Sequence, residues 1–252
     1  MGKIIAIIPA RAGSKRLPHK NILDISGKPM ICWTIEAAQK SGIFSDILVS
    51  TDGETIADLS KKAGASAPFL RNGKDADDYT PVSIATVNAL IEMEKYTSIK
   101  YDIVVQLMPN CPCRTHADII EAYNGFLQAG IDFQISVFKF GWMNPWWALK
   151  KNNQTGSISR LFPETYDKRS QDLEELFCPT GAIWIAKASA LKSEKTFYGS
   201  NFRIFPINWQ SAVDIDEDED FKMAQAVFYL RNQEKNSSVG QFWRSAIENS
   251  MD

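Results

Sequence analysis

The chain has 252 residues, enough for one large α/β domain or two small ones. Apolar residues make up 44% and charged residues 23%, which is ordinary globular usage and excludes a disordered or collagen-like chain. With 28 Lys+Arg against 30 Asp+Glu the net charge is −2, so there is no basic surplus for non-specific nucleic-acid binding, and phosphate chemistry has to be local. The apolar run Ile4-Ile-Ala-Ile-Ile8 is far shorter than the ~20 residues of a spanning helix and is followed by no signal-cleavage pattern. Four cysteines are too few for a disulfide scaffold. The expectation is a cytoplasmic protein with reduced thiols and no nucleic-acid or membrane partner.

In chain order, Lys3–Pro9 reads as a fully buried strand that closes on proline. Met30–Ser41 carries Ile31, Ile35 and Ala38 at helical spacing, with Gly42 as its stop. Ile47–Ser50 is a second buried strand, and Glu54–Ala63 a second helix stopped by Gly64. Val82–Glu94, Ile103–Leu107, Ile119–Ala129 (stopped by Gly130) and Gln134–Lys139 continue the alternation of helix and strand. Such alternation predicts βαβ units and a parallel sheet covered on both faces. The rhythm then breaks: residues 140–177 are aromatic and afterwards polar, and read as an excursion inserted into one domain. Regularity returns with a strand at Gly181–Ala186 and another at Ala212–Ile215, which feeds a helix over Phe221–Leu230. Residues 1–234 are therefore expected to form a single domain, with 235–252 as a tail.

The most informative stretch is Ile7-Ile-Pro-Ala-Arg-Ala-Gly-Ser-Lys-Arg-Leu-Pro-His-Lys-Asn21. A buried strand runs directly into Gly13, Ser14 and the cations Arg11, Lys15 and Arg16. Gly13 lets backbone approach a ligand closely, while N–H groups and Ser14 can donate to phosphate oxygens. Arg11 and Lys15 supply compensating charge, the first as a planar fork and the second as a point. In an open α/β sheet, ligands bind at the carboxyl ends of the strands, where this loop belongs. A solvated basic turn would account for the charge but not for so many phosphate-binding groups following a buried strand. The glycine spacings of the dinucleotide fingerprint and of Walker A are both absent.

Ala212-Val-Asp-Ile-Asp-Glu-Asp-Glu-Asp220 holds a second feature. Asp214 and Asp216 lie two apart in an extended segment, so both project from one face, and two hard oxygens suit Mg²⁺. Glu217, Asp218, Glu219 and Asp220 read instead as helix initiators, complementing the N-terminal macrodipole.

Pro9-Ala-Arg-Ala-Gly-Ser-Lys-Arg-Leu-Pro-His-Lys-Asn21 closely resembles the signature of the acylneuraminate (CMP-sialic acid synthetase) cytidylyltransferases, usually P-A-R-G-G-S-K-x-x-x-x-K-N. The likeness continues through Gly27-Lys-Pro-Met30, Val49-Ser-Thr-Asp52, Pro68-Phe-Leu-Arg71, Ala76-Asp-Asp-Tyr-Thr80 and Val213-Asp-Ile-Asp216. The resemblance implies an α/β, mainly parallel Rossmann-like sheet of the nucleotidyltransferase (GT-A-like) kind, flanked by helices, in a homodimer. It implies that CTP and a nine-carbon keto-sugar acid yield a CMP-sugar and pyrophosphate, with Mg²⁺ on Asp214 and Asp216. Arg11, Ser14 and Lys15 then hold the triphosphate along the Ala12-Gly13 backbone. Lys20 and Asn21 lie by the reacting phosphate and ribose, Arg71 helps read the cytosine, and Ser83 matches a nucleotide-contacting serine. Phosphoryl-type transfer is mostly positioning and charge neutralisation, which assigns catalytic work to Arg11, Lys15, Lys20 and the metal carboxylates.

On the acceptor side the pattern departs. Leu107-Met-Pro-Asn-Cys-Pro-Cys-Arg114 resembles the family's L-Q-P-T-S-P-L-R with Met108 in place of glutamine, and Gln106, two residues earlier, is the candidate substitute. Lys168-Arg-Ser-Gln-Asp-Leu173 resembles R-R-Q-D-L, making Arg169 and Gln171 candidates for sugar contacts. Thr180 replaces an asparagine, and Asn110 and Arg114 are candidate pocket or loop-anchoring residues. The polar groups lost at 108, 170 and 180 point to a modified nonulosonate rather than N-acetylneuraminate. Trp142, Trp146 and Trp147 suit a sugar wall, a dimer contact or core equally well. Cys111, Cys113 and His116 fall short of the four ligands of a structural zinc site. Transfer to an eight-carbon keto-sugar acid, or a silent nucleotide-sugar binding protein, are the competing readings.

Overall fold

A computed structural model describes residues 2–71 and 81–236, and the Ala76–Thr80 motif and residues 237–252 lie outside the described residues. The chain opens with β1 (Ile4–Pro9), every residue of which is buried. Its alternation is two-sided. Ile4, Ala6 and Ile8 join a cluster with α1 (Met30–Ser41) and α4 (His116–Ala129), whereas Ile5 and Ile7 join one with α3 (Val82–Thr97). Such a strand has no polar face, as a central parallel strand between two helix layers requires. The helix stops are as expected: Gly42 ends α1 at φ 67° and Gly130 ends α4 at φ 63°, left-handed values that cost glycine no Cβ clash. The start of α4 is fixed by Thr115 and Asp118, whose side chains each accept the other's backbone N–H.

The main sheet has six strands in the order β10-β6-β9-β5-β1-β4, where β4 is Asp46–Ser50, β5 Ile103–Gln106, β6 Phe133–Lys139, β9 Phe177–Lys187 and β10 Phe202–Pro206. β2 (Asp24–Ile25) and β3 (Lys28–Pro29) form a separate small ribbon, α2 (Glu54–Lys62) follows β4, and α5 (Ala188–Glu194) follows β9. β1 pairs in parallel with β4 and β5, and β10 with β6, while β9 runs antiparallel between β5 and β6. The sheet is thus mainly parallel, and the expected strand at Gly181–Ala186 is the inner part of the reversed β9. β1 has β4 on one side and β5 on the other, so the strand order changes direction there and a crevice opens beyond its carboxyl end.

Two expectations need correction. Ala212–Ile215 joins no sheet among the described residues: the Ala212 N–H closes a turn on the Asn208 and Trp209 carbonyls, and the Ile215 N–H donates to the Asn110 carbonyl in the loop after β5 at 2.8 Å. The sixth strand is instead β10, whose alternating Phe202 and Ile204 face solvent at the sheet edge. Acidic Asp218, Glu219 and Asp220 do open a helix, α6, which spans Asp218–Asn236 and so runs two residues into the expected tail. Among the described residues, no helix is long and apolar enough to cross a membrane.

The excursion leaves the sheet at Lys139 and returns at Phe177. It holds a two-stranded antiparallel ribbon, β7 (Leu149–Lys151) and β8 (Ile158–Arg160), and exposes the apolar side chains of Trp142, Met143, Leu149, Ile158, Leu161 and Tyr166. The Trp146 side chain is tied down, donating from Nε1 to the Glu174 carbonyl at 2.9 Å and meeting Phe162 edge-on at 5.0 Å.

Candidate active site

Beyond the end of β1 lies a cavity of about 380 Å³. The phosphate loop contributes Arg11, Ser14, Lys15, Arg16, Lys20 and Asn21 to its lining. The segment after β5 contributes Met108, Pro109 and Asn110, and Asp216 closes it from the bend just before α6. Two other clefts, of about 430 and 490 Å³, gather no comparable set of phosphate-binding groups: Lys187 and Lys192 in the first are each paired to a carboxylate. Chemistry, not volume, marks the site.

Local bonds shape the loop. The Ala12 N–H donates to Asp52 Oδ1 at 2.7 Å, and the Asn21 amide donates to the Arg11 carbonyl at 2.9 Å. Ala12 therefore spends its N–H on Asp52 and supports the loop rather than offering a phosphate donor, a correction to its expected role. It also packs tightly: a Cβ on Gly53 would come within 2.9 Å of the Ala12 Cβ. Gly13 is different, since a Cβ there would meet nothing within 4 Å, leaving the open approach a ligand needs. His19 takes a left-handed φ of 56°, and the following short turn, Lys20–Ile22, aims Lys20 across the cavity.

Lys20 joins the two halves. Its ammonium donates to the Ile215 carbonyl at 2.7 Å and to Asp216 Oδ1 at 2.8 Å, while Arg16 reaches Asp216 Oδ2 at 2.6 Å. Burial pushes the Asp216 carboxyl upward, but the hydrogen bonds and charges of Lys20 and Arg16 outweigh it and hold the group below its ordinary value. Asp214 behaves in the opposite way. It keeps an exposed face, yet the protein surrounding it and then the Asp216 charge raise its carboxyl to about 6, against the pull of Lys20 and the Gly181 N–H. The fold thus crowds two carboxylates together and leaves one of them poorly compensated. Two hard oxygens on one segment have the donor chemistry that Mg²⁺ takes, and a divalent cation would offset the crowded charge.

Several expected residues stand elsewhere. Gln106 is fully buried and outside the cavity lining, its Oε1 accepting from Thr86 Oγ1 at 2.6 Å. The ladder of β5 ends at Gln106, and alternation does not carry on to Met108, which packs with the cluster on the other face. Gln106 is therefore no substitute for the missing glutamine. Arg71 lies at the end of β4, its guanidinium donating to the Ser50 carbonyl at 2.6 Å and to Ser50 Oγ at 3.2 Å. Ser83 is buried in the first turn of α3 and does not line the cavity. Arg169 and Gln171 do not line it either: they ride on the excursion, and Arg169 closes on Asp172 at 2.8 Å.

Arg114, a pocket or loop-anchoring candidate in the sequence, supplies the grip beneath the site. Arg114 is almost fully buried with no carboxylate among the described residues on its guanidinium, which bonds the Met108 and Ala182 carbonyls and Thr34 Oγ1. Burial lowers its pKa to about 10. It anchors the loop that presents Met108 and Asn110. Arg16 was named only as one of several loop cations, and nothing local reveals its pairing with Asp216, 200 residues away. Cys111 and Cys113 are free buried thiols, packed against Thr180 and the Ala224 carbonyl.

Comparison with known proteins agrees with this geometry. Residues 5–140 match the family model described as cytidylyltransferase. The chain is 34% identical to pseudaminic acid cytidylyltransferase of Campylobacter jejuni, over 92% of this chain and 98% of that one. It is also 34% identical to CMP-N,N'-diacetyllegionaminic acid synthase of Legionella pneumophila, with the same coverage of both. In fold it is similar to CMP:2-keto-3-deoxy-manno-octonic acid synthetase solved with CTP, at TM-score 0.65 and 19% identity, covering 91% of this chain and 99% of that one.

Proposed function

The chain belongs to the cytidylyltransferase family, and from that premise we propose that it transfers CMP from CTP to the anomeric hydroxyl of a nonulosonic acid, with Mg²⁺ as cofactor. The observation that carries the reading is the convergence of Arg11, Ser14, Lys15 and Lys20 with Asp216 around one cavity at the end of β1. The anomeric oxygen forms a bond to the α-phosphorus while the bond to the pyrophosphate oxygen breaks, and the hydroxyl proton passes to solvent. Arg11 and Lys15 offset charge on the triphosphate, and Ser14 donates to its oxygens. Lys20, already at the Asp216 carboxylate, holds the phosphate loop against the acidic segment as charge shifts to the leaving group. Held by Asp214 and Asp216, Mg²⁺ would neutralise phosphate oxygens when bound.

For the acceptor, we infer a deoxy, diacylated nonulosonate of the pseudaminic or legionaminic kind. Support comes from Met108, an apolar side chain lining the cavity where the family pattern has glutamine, and from the substrates in the names of the two relatives. The exposed apolar side chains of the excursion support a homodimer built through it.

The test is pyrophosphate release from CTP with pseudaminic, legionaminic and N-acetylneuraminic acids and an eight-carbon keto-sugar acid, with and without EDTA. The expected result is a CMP-sugar from a nine-carbon acid, abolished by EDTA. Turnover of the eight-carbon acid alone would transfer the reading to that substrate, and no product from any acid would refute catalysis.

A further inference from the structure

We infer that Asn110 is a positioning residue for the cation site: its side-chain amide holds the Asp214 carboxylate in one orientation and thereby raises the affinity of the Asp214–Asp216 pair for a divalent cation. The inference rests on the metal reading above and adds a residue to it.

Asn110 lies in the segment between β5 and α4, is 6% exposed and lines the cavity. It grips the acidic segment at three points. Its backbone carbonyl accepts from the Ile215 N–H at 2.8 Å, and its Nδ2 donates both to Asp214 Oδ1 and to the Ile215 carbonyl at 3.2 Å. Ile215 between the two acids is itself fully buried, so the backbone linking them cannot slide. The orientation of the amide is dictated by its partners. Both are acceptors, so Nδ2 has to face them, and Oδ1 is left buried without a donor among the described residues. A side chain serving only to anchor the loop has no reason to bear that cost. The loop is anchored already, by the Arg114 bonds to the Met108 and Ala182 carbonyls and by the Met108 N–H on the Gly181 carbonyl at 3.1 Å.

The two acids are also held by different means. Lys20 and Arg16 take both oxygens of Asp216, whereas the direct side-chain partner of Asp214 is this neutral amide. An amide fixes the direction of a carboxylate without neutralising it, so the charge of Asp214 stays available to a cation. Threonine, which stands at this place in the pattern the segment resembles, has one hydroxyl proton and cannot donate to the carboxylate and the carbonyl together.

The test is Mn²⁺ binding to the full chain in the presence of CTP and no sugar acid, followed by the electron paramagnetic resonance signal of free Mn²⁺. Asn110→Ala is expected to weaken Mn²⁺ 10–100-fold, the usual effect of removing a partner that orients a metal ligand. Asn110→Thr, which keeps a branched polar side chain in the loop, is expected to fall between wild type and alanine and guards against simple loss of folding. In an Asp214→Asn background Asn110→Ala should add nothing. Wild-type affinity in Asn110→Ala, with binding lost in Asp214→Asn, would overturn the positioning role while leaving the metal reading intact. Wild-type affinity in Asp214→Asn would overturn the metal reading itself, and an equal additional loss in the double variant would show that the amide does not act through Asp214.

Discussion

The Lys20 ammonium lies 2.8 Å from Asp216 Oδ1, joining the phosphate loop to a residue 196 positions further along the chain. The bond turns two separate motifs into one site, and the cations around Asp216 keep its carboxyl ionised below the usual range. Lys20→Met should therefore lower single-turnover CMP transfer by roughly 10²–10³-fold, as for other lost charge-stabilising donors. The two side chains are partly exposed, so the melting temperature should move little. A large loss of stability with turnover intact would make the contact a structural brace.

Lys15 and Arg11 line the same cavity from the loop. Lys15→Ala and Arg11→Ala should each raise the barrier by about 2–4 kcal/mol. The effect should appear in turnover as well as in CTP affinity, measured by rapid quench with saturating CTP. A change confined to CTP affinity would mean that these cations bind ground state and transition state alike.

Met108 rests on Gly181, where an added Cβ would fall 2.7 Å from its Cγ. Gly181→Ala should push the thioether into the cavity and raise KM for the sugar acid more than for CTP. Met108→Gln should shift selectivity toward N-acetylneuraminate, and a methyl contact worth roughly 1 kcal/mol sets the scale at several-fold per group. Catalytic efficiencies for the competing acids decide it. An unchanged ratio would remove Met108 from acceptor choice.

Leu149 on β7 and Ile158 on β8 are 65% and 59% exposed. If the proposed homodimer forms through them, the wild type should run as a dimer in light scattering and a Leu149→Asp, Ile158→Asp double variant as a monomer at the same concentration. Charges in an apolar interface are costly when unpaired. A wild-type monomer, or a variant that still dimerises, would exclude the excursion as the contact.

Glu94 supplies a prediction for pH. It is 5% exposed on α3 and takes Lys100 at 2.8 Å and Lys192 at 2.9 Å. Burial is the largest single influence and pushes its carboxyl up, but the hydrogen bonds and charge of the lysines and the Tyr101 N–H together hold it below 4.5. With the folded value lowered, folding favours the ionised form. Its contribution is fully present above 4.5 and is lost as pH falls through the folded value. Glu94→Gln should then cost about 1–3 kcal/mol at neutral pH in urea unfolding, and the gap between variant and wild type should close in acid. A gap that persisted in acid would show that the loss comes from packing.

What the sequence determined by itself was local. Five consecutive apolar residues specify a strand buried on both faces, Gly42 and Gly130 specify where helices stop, and Gly13-Ser14-Lys15 after such a strand specifies a loop. The strand, the helix stops and the existence of a loop after the strand depend on neighbours a few residues apart, whose backbone preferences and periodicity do not require knowledge of the rest of the chain. The phosphate role of that loop rests on the proposal above. Tertiary structure decided the rest. Whether Ala212–Ile215 paired as a strand, whether Gln106 reached the cavity, and whether the Ala12 N–H was left for phosphate were settled by distant partners: Asn110, Thr86 and Asp52. The grips of Lys20 and Arg16 on Asp216 and of Asn110 on Asp214 belong to the same class. A buried or crowded polar group takes whichever partner the packed fold brings within hydrogen-bond reach, and that proximity exists only once the helices and strands have docked.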